Sequence, residues 1–374
     1  MADPDTELGK TPSDRHIFAC VNCGADMRFA PGQDKVVCDH CGHSEPVAPG
    51  PRAPAIRELD LQDGLRAALS DQDMEDTRVL HCPNCGAQFD LPPHTHAAEC
   101  PFCATPVVTD TGAHRQIKPR AVLPFQLDEE VARRAMTDWL GQLWFAPNGL
   151  MNYARKGRRM QGVYVPYWTF DADTRSRYSG ERGDDYYTTR TAMRDGQRVQ
   201  VRERHTRWRP ARGQVARFFD DVLVLASRAL PKRFTDALAP WDLADLEPYR
   251  PEFLAGFTAE AYTVDIDDGF DEARAHMDRI IARDVRFNIG GDHQRIHSID
   301  THLSDVTFKH VLLPVWLAAY KYRGKTYRFV VNGQTGRVRG ERPWSAVKIA
   351  IAVLLVATIA AIAGYFYALE QGAV

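Results

Sequence analysis

The sequence predicts an α+β protein. Two small cysteine-closed modules come first, then a mixed central region built on antiparallel sheets, then one membrane-spanning helix at the C-terminus. Three observations predict this. Cys20 to Cys41 and Cys82 to Cys103 both read C-x2-C-x14-C-x2-C. Beyond them, segments of helical and of alternating period succeed one another as far as Pro343. The run from Ile349 to Leu369 carries no charge.

All eight cysteines lie in the two matched stretches, as four C-x-x-C pairs. The opening "MADPDTELGKTPSDR" is polar and has no apolar core, so no signal peptide is expected. Without export, this spacing reads as metal binding and not as disulfides. Two cysteines on one tight turn aim both sulfurs at one ion, and a second such turn closes a tetrahedron. The expected ligand sets are Cys20, Cys23, Cys38 and Cys41 for one zinc ion, and Cys82, Cys85, Cys100 and Cys103 for a second. Four thiolates leave no open position for water, so both Zn2+ are expected to be structural. Gly24, Gly42 and Gly86 follow Cys23, Cys41 and Cys85, where a positive φ turns amides toward sulfur; Ala104 follows Cys103 instead. The modules align at an offset of 62, with Asn22-Cys23-Gly24-Ala25 matching Asn84-Cys85-Gly86-Ala87 and Pro31 matching Pro93, as a duplication would leave them. Their expected bounds are residues 16–44 and 80–106. His40, His43, His81, His94 and His96 are expected outside the ligand sets. The connection at residues 45–79 holds Pro46, Pro49, Pro51 and Pro54, a semi-rigid spacer, and then Leu59, Leu61, Leu65 and Leu69, a short amphipathic helix. Such a connection would present the ribbons as two separate units.

Residues 118–343 read as one α+β region. Asp128 suits the N-cap of a helix through "EEVARRAMTDWL". "GFDEARAHMDRIIARDVRFN" is a second amphipathic helix, stopped by Gly290-Gly291. "GVYVPYWTFDA", "VQVRERHTRW", "FKHVLLPVWLAAYKY" and "YRFVVNG" are strand-like, with turn signals at Asp195-Gly196 and Asn332-Gly333. "VYVPYW" from Val163 echoes "VLLPVW" from Val311, which suggests two similar units, at about 118–215 and 255–343, each with its proline at an edge or bulge.

A net charge of -2 excludes a polycation built for nucleic acid. Locally the balance differs: eleven Arg and five acidic residues lie between Ser176 and Arg217, and Asp220, Asp221, Asp265, Asp267 and Asp268 follow. Charge complementation across one fold is the first reading. Nucleic-acid or anionic-lipid binding through Arg190, Arg194, Arg198, Arg202, Arg204, Arg207 and Arg209 is the alternative. Catalytic signals are missing. "GKT" at Gly9-Lys10-Thr11 and Gly324-Lys325-Thr326 lacks the earlier glycine of a phosphate loop; Pro4 and Ala319 stand there. His293, His297, His302 and His310 with Asp300 give a third reading, an enzyme site.

The anchor, residues 347–369, is flanked by Trp344 before it and Tyr365, Phe366 and Tyr367 near its end. Arg337, Arg339, Arg342 and Lys348 precede the uncharged run Ile349–Leu369 and only Glu370 follows, so a single-pass span of the cell inner membrane with the N-terminus cytoplasmic is expected. Ala360 and Gly364 form a small-xxx-small pair that would suit a homo-oligomer.

The duplicated ribbons, "GVYVPYWTFDA…YSGERG", "RFFDDVLVLASRALP", "LLPVWLAAYKYRGKTYRFVVNGQTG" and the terminal anchor together resemble a group of bacterial TFIIB-type zinc-ribbon membrane proteins. Some members carry the label of the primosomal replication helicase (primosomal protein N') through their zinc region. This chain lacks a nucleotide-binding loop, so helicase activity is not expected. Similar ribbon-plus-anchor proteins are associated with membrane-stress scaffolds of the phage-shock and SPFH types, which implies a protein partner. The expected function is a non-enzymatic adaptor, held in membrane lipid, that binds a protein at the cytosolic face. A membrane-tethered nucleic-acid-binding protein is the alternative.

Overall fold

A computed structural model describes residues 18–47, 56–90, 98–103, 105–107, 110–147, 160–194, 197–322, 325–341 and 344–371. Outside the described residues lie Pro49, Pro51, Pro54, Pro93, His94, His96, Ala104, the Asp195-Gly196 turn, Arg342, both phosphate-loop-like glycines and the side chain of Arg194.

The first module is a three-stranded antiparallel sheet of β1 (Met27–Ala30), β2 (Lys35–Cys38) and β3 (Ser44–Pro46). Alternation buries Met27 and Phe29 on β1 and Val36 and Cys38 on β2. The four-leucine helix expected next divides. Leu59 enters β4 (Leu59–Asp60), and only α1 (Leu61–Leu65) is helical, capped by Asp60 Oδ1 accepting from Gln62 N at 2.7 Å. Gly64 lets this turn lie on the core, since a Cβ there would meet Phe308 Cε1 at 2.8 Å. The second module combines β5 (Met74–His81), β6 (Gln88–Asp90) and β9 (Asp110–Ile117) with a small ladder of β7 (Ala98–Glu99) and β8 (Pro106–Val107).

The remaining elements repeat one order: short strand, helix, long strand, return strand. The first set is β10 (Ala121–Val122), α2 (Glu129–Gly141), β11 (Gln161–Arg194) and β12 (Gln197–Leu225). After β13 (Glu247–Pro248) the second set is β14 (Thr258–Ala259), α3 (Ile266–Ile289), β15 (His293–Tyr322) and β16 (Lys325–Asn332), followed by β17 (Val338–Gly340) and α4 (Ala346–Gln371). Both helices begin at an aspartate, Asp128 and Asp265; α3 ends at Gly290, whose φ of 67° suits glycine.

The two sets form one sheet. β11 and β15 pair antiparallel from Gln161↔Leu317 to Gly183↔His293, with Val165 opposite Leu313. The two echoing hexapeptides therefore lie side by side, about a local dyad through that pair. Each set also lends its short strand to the other: β10 runs parallel to β15 at Ala121↔Val311, and β14 parallel to β11 at Val163↔Thr258. Strand β12 continues from Tyr167↔Leu225 and β16 from Val315↔Asn332.

This handover accounts for the prolines, which lie in central strands and not at an edge. The Tyr164 carbonyl accepts from Glu260 N at 2.9 Å beside β14, and the Pro166 carbonyl from Ala226 N at 3.0 Å at the end of β12. The Leu312 carbonyl likewise accepts from Leu123 N, and that of Pro314 from Gly333 N at 2.8 Å. N and O of one strand residue point the same way, so each missing N–H falls in the gap between two successive partner strands.

The sheet is covered on both faces. Tyr164, Leu312 and Trp316 pack with the first module and α2, through Cys20, Phe29, Val36, Met136 and Leu140. Trp168, Phe170, Ala172 and Phe308 pack on the same side against α3, through Ala273, Met277, Ile281 and Val285. Val163, Val165, Val311 and Leu313 face the other way, onto the second module through Phe89, Cys100 and Phe102. The two cysteine modules are thus not separately presented; each is docked on one face of the shared sheet.

Bulges interrupt the long strands at Phe170/Ala172 and Asp171/Asp173. There the buried Lys309 ammonium lies 2.8 Å from Asp221 Oδ1, 3.0 Å from Glu58 Oε1 and 3.4 Å from Asp171 Oδ2. Burial pushes Asp171 up to about 6. Burial would also raise Glu58, but hydrogen bonds from Asp171, Thr307 and Lys309 hold it at about 2. Replacing Lys309 by Ala removes the one cation these three carboxylates share. We expect a stability loss of about 3 kcal/mol or more at neutral pH. Carboxylates left together have raised folded pKa values, and stability linked to a raised pKa is lost as pH rises through it. The deficit should therefore be smaller at pH 5 than at pH 7.5, read by thermal unfolding of the full chain in detergent.

Candidate metal centres

The knuckle turns are built alike. Cys20 N donates to Ala25 O, Cys38 N to His43 O, Cys82 N to Ala87 O and Cys100 N to Thr105 O, all at 2.8 Å. Gly24, Gly42 and Gly86 each donate back to the carbonyl of the first cysteine, at φ of 74°, 74° and 76°. A side chain there would be strained in this left-handed turn, which is the reason for the Cys-Gly sequence.

The turns bring four sulfurs together twice, as Cys20, Cys23, Cys38 and Cys41, and as Cys82, Cys85, Cys100 and Cys103. Cys20–Cys41 and Cys23–Cys38 are 3.5 Å apart; Cys82–Cys103 and Cys85–Cys100 are 3.6 Å apart. A zinc–sulfur bond of about 2.3 Å gives tetrahedral edges of about 3.8 Å, whereas a disulfide needs about 2.05 Å. The donor sets therefore fit zinc, and each ion would be held by its four thiolates. The thiols share protons unequally. The His43 amide holds Cys41 down at about 6, and the contact with Cys100 holds Cys85 at about 5. That same contact, with burial, pushes Cys100 up. Four thiolates this close repel one another unless a cation sits among them. Cys38, Cys82 and Cys100 are at most 1% exposed, so the ion would also complete the inner side of each module.

Of the nearby histidines, His43 Nε2 pairs with Glu45 Oε1 at 3.0 Å. His293, His297, His302 and His310 do not converge among the described residues. His293 meets Asp185, and His297 is 3.9 Å from Glu181. His310 is buried against Trp168; burial holds its pKa down at about 4, and its Nδ1–H donates to Ile117 O at 2.8 Å. Alternation and the bulges put these side chains in different surroundings. A third cluster, Asp171, Asp220 and Asp221, is acidic, and its Asp171 and Asp221 meet the Lys309 ammonium. Sequence reasoning missed this group, because Glu58 and Lys309 are 251 residues apart and only strand pairing joins them. It also missed Glu260, a buried carboxyl whose Oε1 accepts from Ser227 at 2.5 Å and which burial holds well above the usual range.

No family model matches the chain, and no solved structure matches it. The chain is similar to the uncharacterized protein YdjG of Bacillus subtilis (strain 168). They are 26% identical over 346 residues, which span 89% of this chain and 92% of that protein.

Protein purified under reducing conditions should carry two zinc ions per chain by elemental analysis, and Cys100→Ser should reduce this to one. Zinc binding of this kind is worth on the order of 10 kcal/mol per site, so a strong chelator should unfold both modules. A ratio near zero together with native disulfides would refute the assignment.

Proposed function

We propose that this chain is a membrane-anchored zinc-ribbon adaptor. It binds protein partners at the cytosolic membrane face and carries out no chemistry of its own. The observation that carries the reading is the closure of both four-cysteine clusters. With four sulfurs per centre, a bound ion keeps no position for substrate or activated water. The modules then supply rigid surface. Val21, at the tip of the first knuckle, is 79% exposed.

The anchor is α4. Ala346–Tyr367 spans 22 residues, and its most apolar 18-residue stretch has a mean hydropathy of 2.6 with none of it buried. Its length of about 33 Å matches a hydrocarbon core of about 30 Å. Lys348, Arg337 and Arg339 on its N-terminal side keep the ribbons cytoplasmic. Deleting residues 346–371 should move the protein to the soluble fraction, and protease added to the cytosolic face should reach both ribbons in the full chain. A deletion variant that still behaves as an integral membrane protein sinks the anchor.

One observation favours a second reading, nucleic-acid binding. Beyond Gly183, where β15 ends its pairing, β11 and β12 continue as a two-stranded ribbon to Arg194. On it Arg202 lies 3.9 Å over the Tyr187 ring and Arg207 5.1 Å over Tyr186. A two-stranded ribbon suits a duplex major groove. Against it, Arg190 pairs with Glu203 and Arg204 with Asp185, which offsets part of the charge. Crosslinking pull-down from membranes, with and without nuclease, separates the readings. The adaptor reading expects protein partners that survive nuclease and survive charge reversal of Arg198, Arg202 and Arg207. Partners lost in both treatments, with capture that falls steeply with salt, would establish the second reading instead.

A further inference from the structure

We infer that the loop after α2, centred on Trp144 and Phe145, is a second membrane-contact element. It seats in the headgroup layer beside the first turn of α4 and fixes how the central sheet stands on the bilayer. The inference rests on the reading of α4 as a membrane span.

The first turn of α4 is fastened to the backbone of that loop and does not leave the domain on a free tether. Ser345 N donates to Phe145 O at 2.8 Å. Lys348 Nζ donates to Trp144 O at 3.0 Å and to Ala146 O at 2.8 Å. The loop follows the C-terminus of α2, and the two carbonyls that accept the ammonium, those of Trp144 and Ala146, lie three and five residues past Gly141. Ala146 is buried in the core shared with α2 and the first ribbon, which makes the loop part of the folded body.

Depth follows from this clasp. Lys348 immediately precedes Ile349, the first residue of the uncharged run. One helical residue is about 1.5 Å of rise, while the polar layer on each side of a bilayer is roughly 5–8 Å thick. The carbonyls of Trp144 and Ala146 therefore lie within the headgroup layer whenever α4 spans the membrane. Their side chains suit that layer. Trp144 is 81% exposed and Trp344 57% exposed, and the rings of Phe145 and Trp344 lie 6.4 Å apart. An indole left this bare on a folded domain exposes a large apolar surface to water, whereas at the lipid boundary its ring meets acyl chains and its N–H meets headgroups. Among lipid, a protein partner and a second copy, the clasp selects lipid, because it holds the loop level with the start of the span. Phe329 extends the same body: it packs on Trp139 of α2, so the end of the sheet carrying β16 is the end brought to the bilayer.

The test uses the full chain reconstituted in phosphatidylcholine vesicles, with acyl chains brominated either close to the headgroup or near the bilayer centre. Bromine quenches tryptophan on contact. Shallow bromines should quench a component of the emission that Trp144→Phe lowers by about half, since two of the seven tryptophans then reach the interface, Trp144 and Trp344. Trp344→Phe should remove the rest, and deep bromines should quench little in any variant. Both replacements keep an aromatic ring at an exposed position, so folding is preserved; circular dichroism checks it. If Trp344 is quenched and Trp144→Phe changes nothing, the loop is not in the membrane and the inference is overturned while the anchor stands. If the chain fails to float with the vesicles, the anchor reading itself falls, and this inference with it.

Discussion

Pairing of β11 with β15 is the constraint on which the other parts depend. Val165 and Leu313 face each other at its centre, and the alternation on either side sends Tyr164 and Leu312 to one face and Val163, Val165 and Leu313 to the other. A one-residue slip would exchange the two faces. The first module, α2 and α3 would then meet side chains shaped for the second module. Burial on both faces fixes the register, and the register places everything else.

The exchange of short strands makes the sheet a single body. β10 completes β15 and β14 completes β11, so neither helix-and-strand set has a finished edge alone. Proline is tolerated at Pro166 and Pro314 because each sits where one partner strand stops and the next begins. The register shifts beside Asp171, which put extra residues on β12 and β15, lie where Asp171, Asp221 and Lys309 meet, with Glu58 arriving from beside β4. Buried charge is tolerable there because each carboxylate meets the ammonium or a hydrogen-bond donor.

The two cysteine modules combine two kinds of closure. Their outer ends depend on four sulfurs around one point, with Cys23 and Cys41 exposed and Cys20 and Cys38 buried in the first. Their inner ends depend on apolar contacts with the sheet, through Phe29 on one face and Phe89 and Phe102 on the other. Were a zinc ion held at either cluster, its removal would weaken the cover of the sheet as well as the knuckle. Docking on opposite faces points the two modules in different directions, so the duplicated sequence does not create two equivalent surfaces.

The sequence alone determined what is local. Cysteine spacing and the glycines behind it specify the knuckles, because a C-x-x-C-G turn closes within six residues. Asp128 and Gly290 mark helix ends through their own backbone needs, and an uncharged run as long as a bilayer is thick is visible without any fold. Tertiary structure decided what depends on distant pairing. The echo of "VYVPYW" in "VLLPVW" did not reveal that the two stretches are neighbours, since local pattern carries no register between strands 148 residues apart. The leucines at Leu59 and Leu61 divided between strand and helix because β15 offered Leu59 a partner. Lys309, Glu58 and Asp171 form one cluster, and His293 and His310 do not, because strand twist, alternation and bulges decide which side chains meet, and those are properties of the assembled sheet.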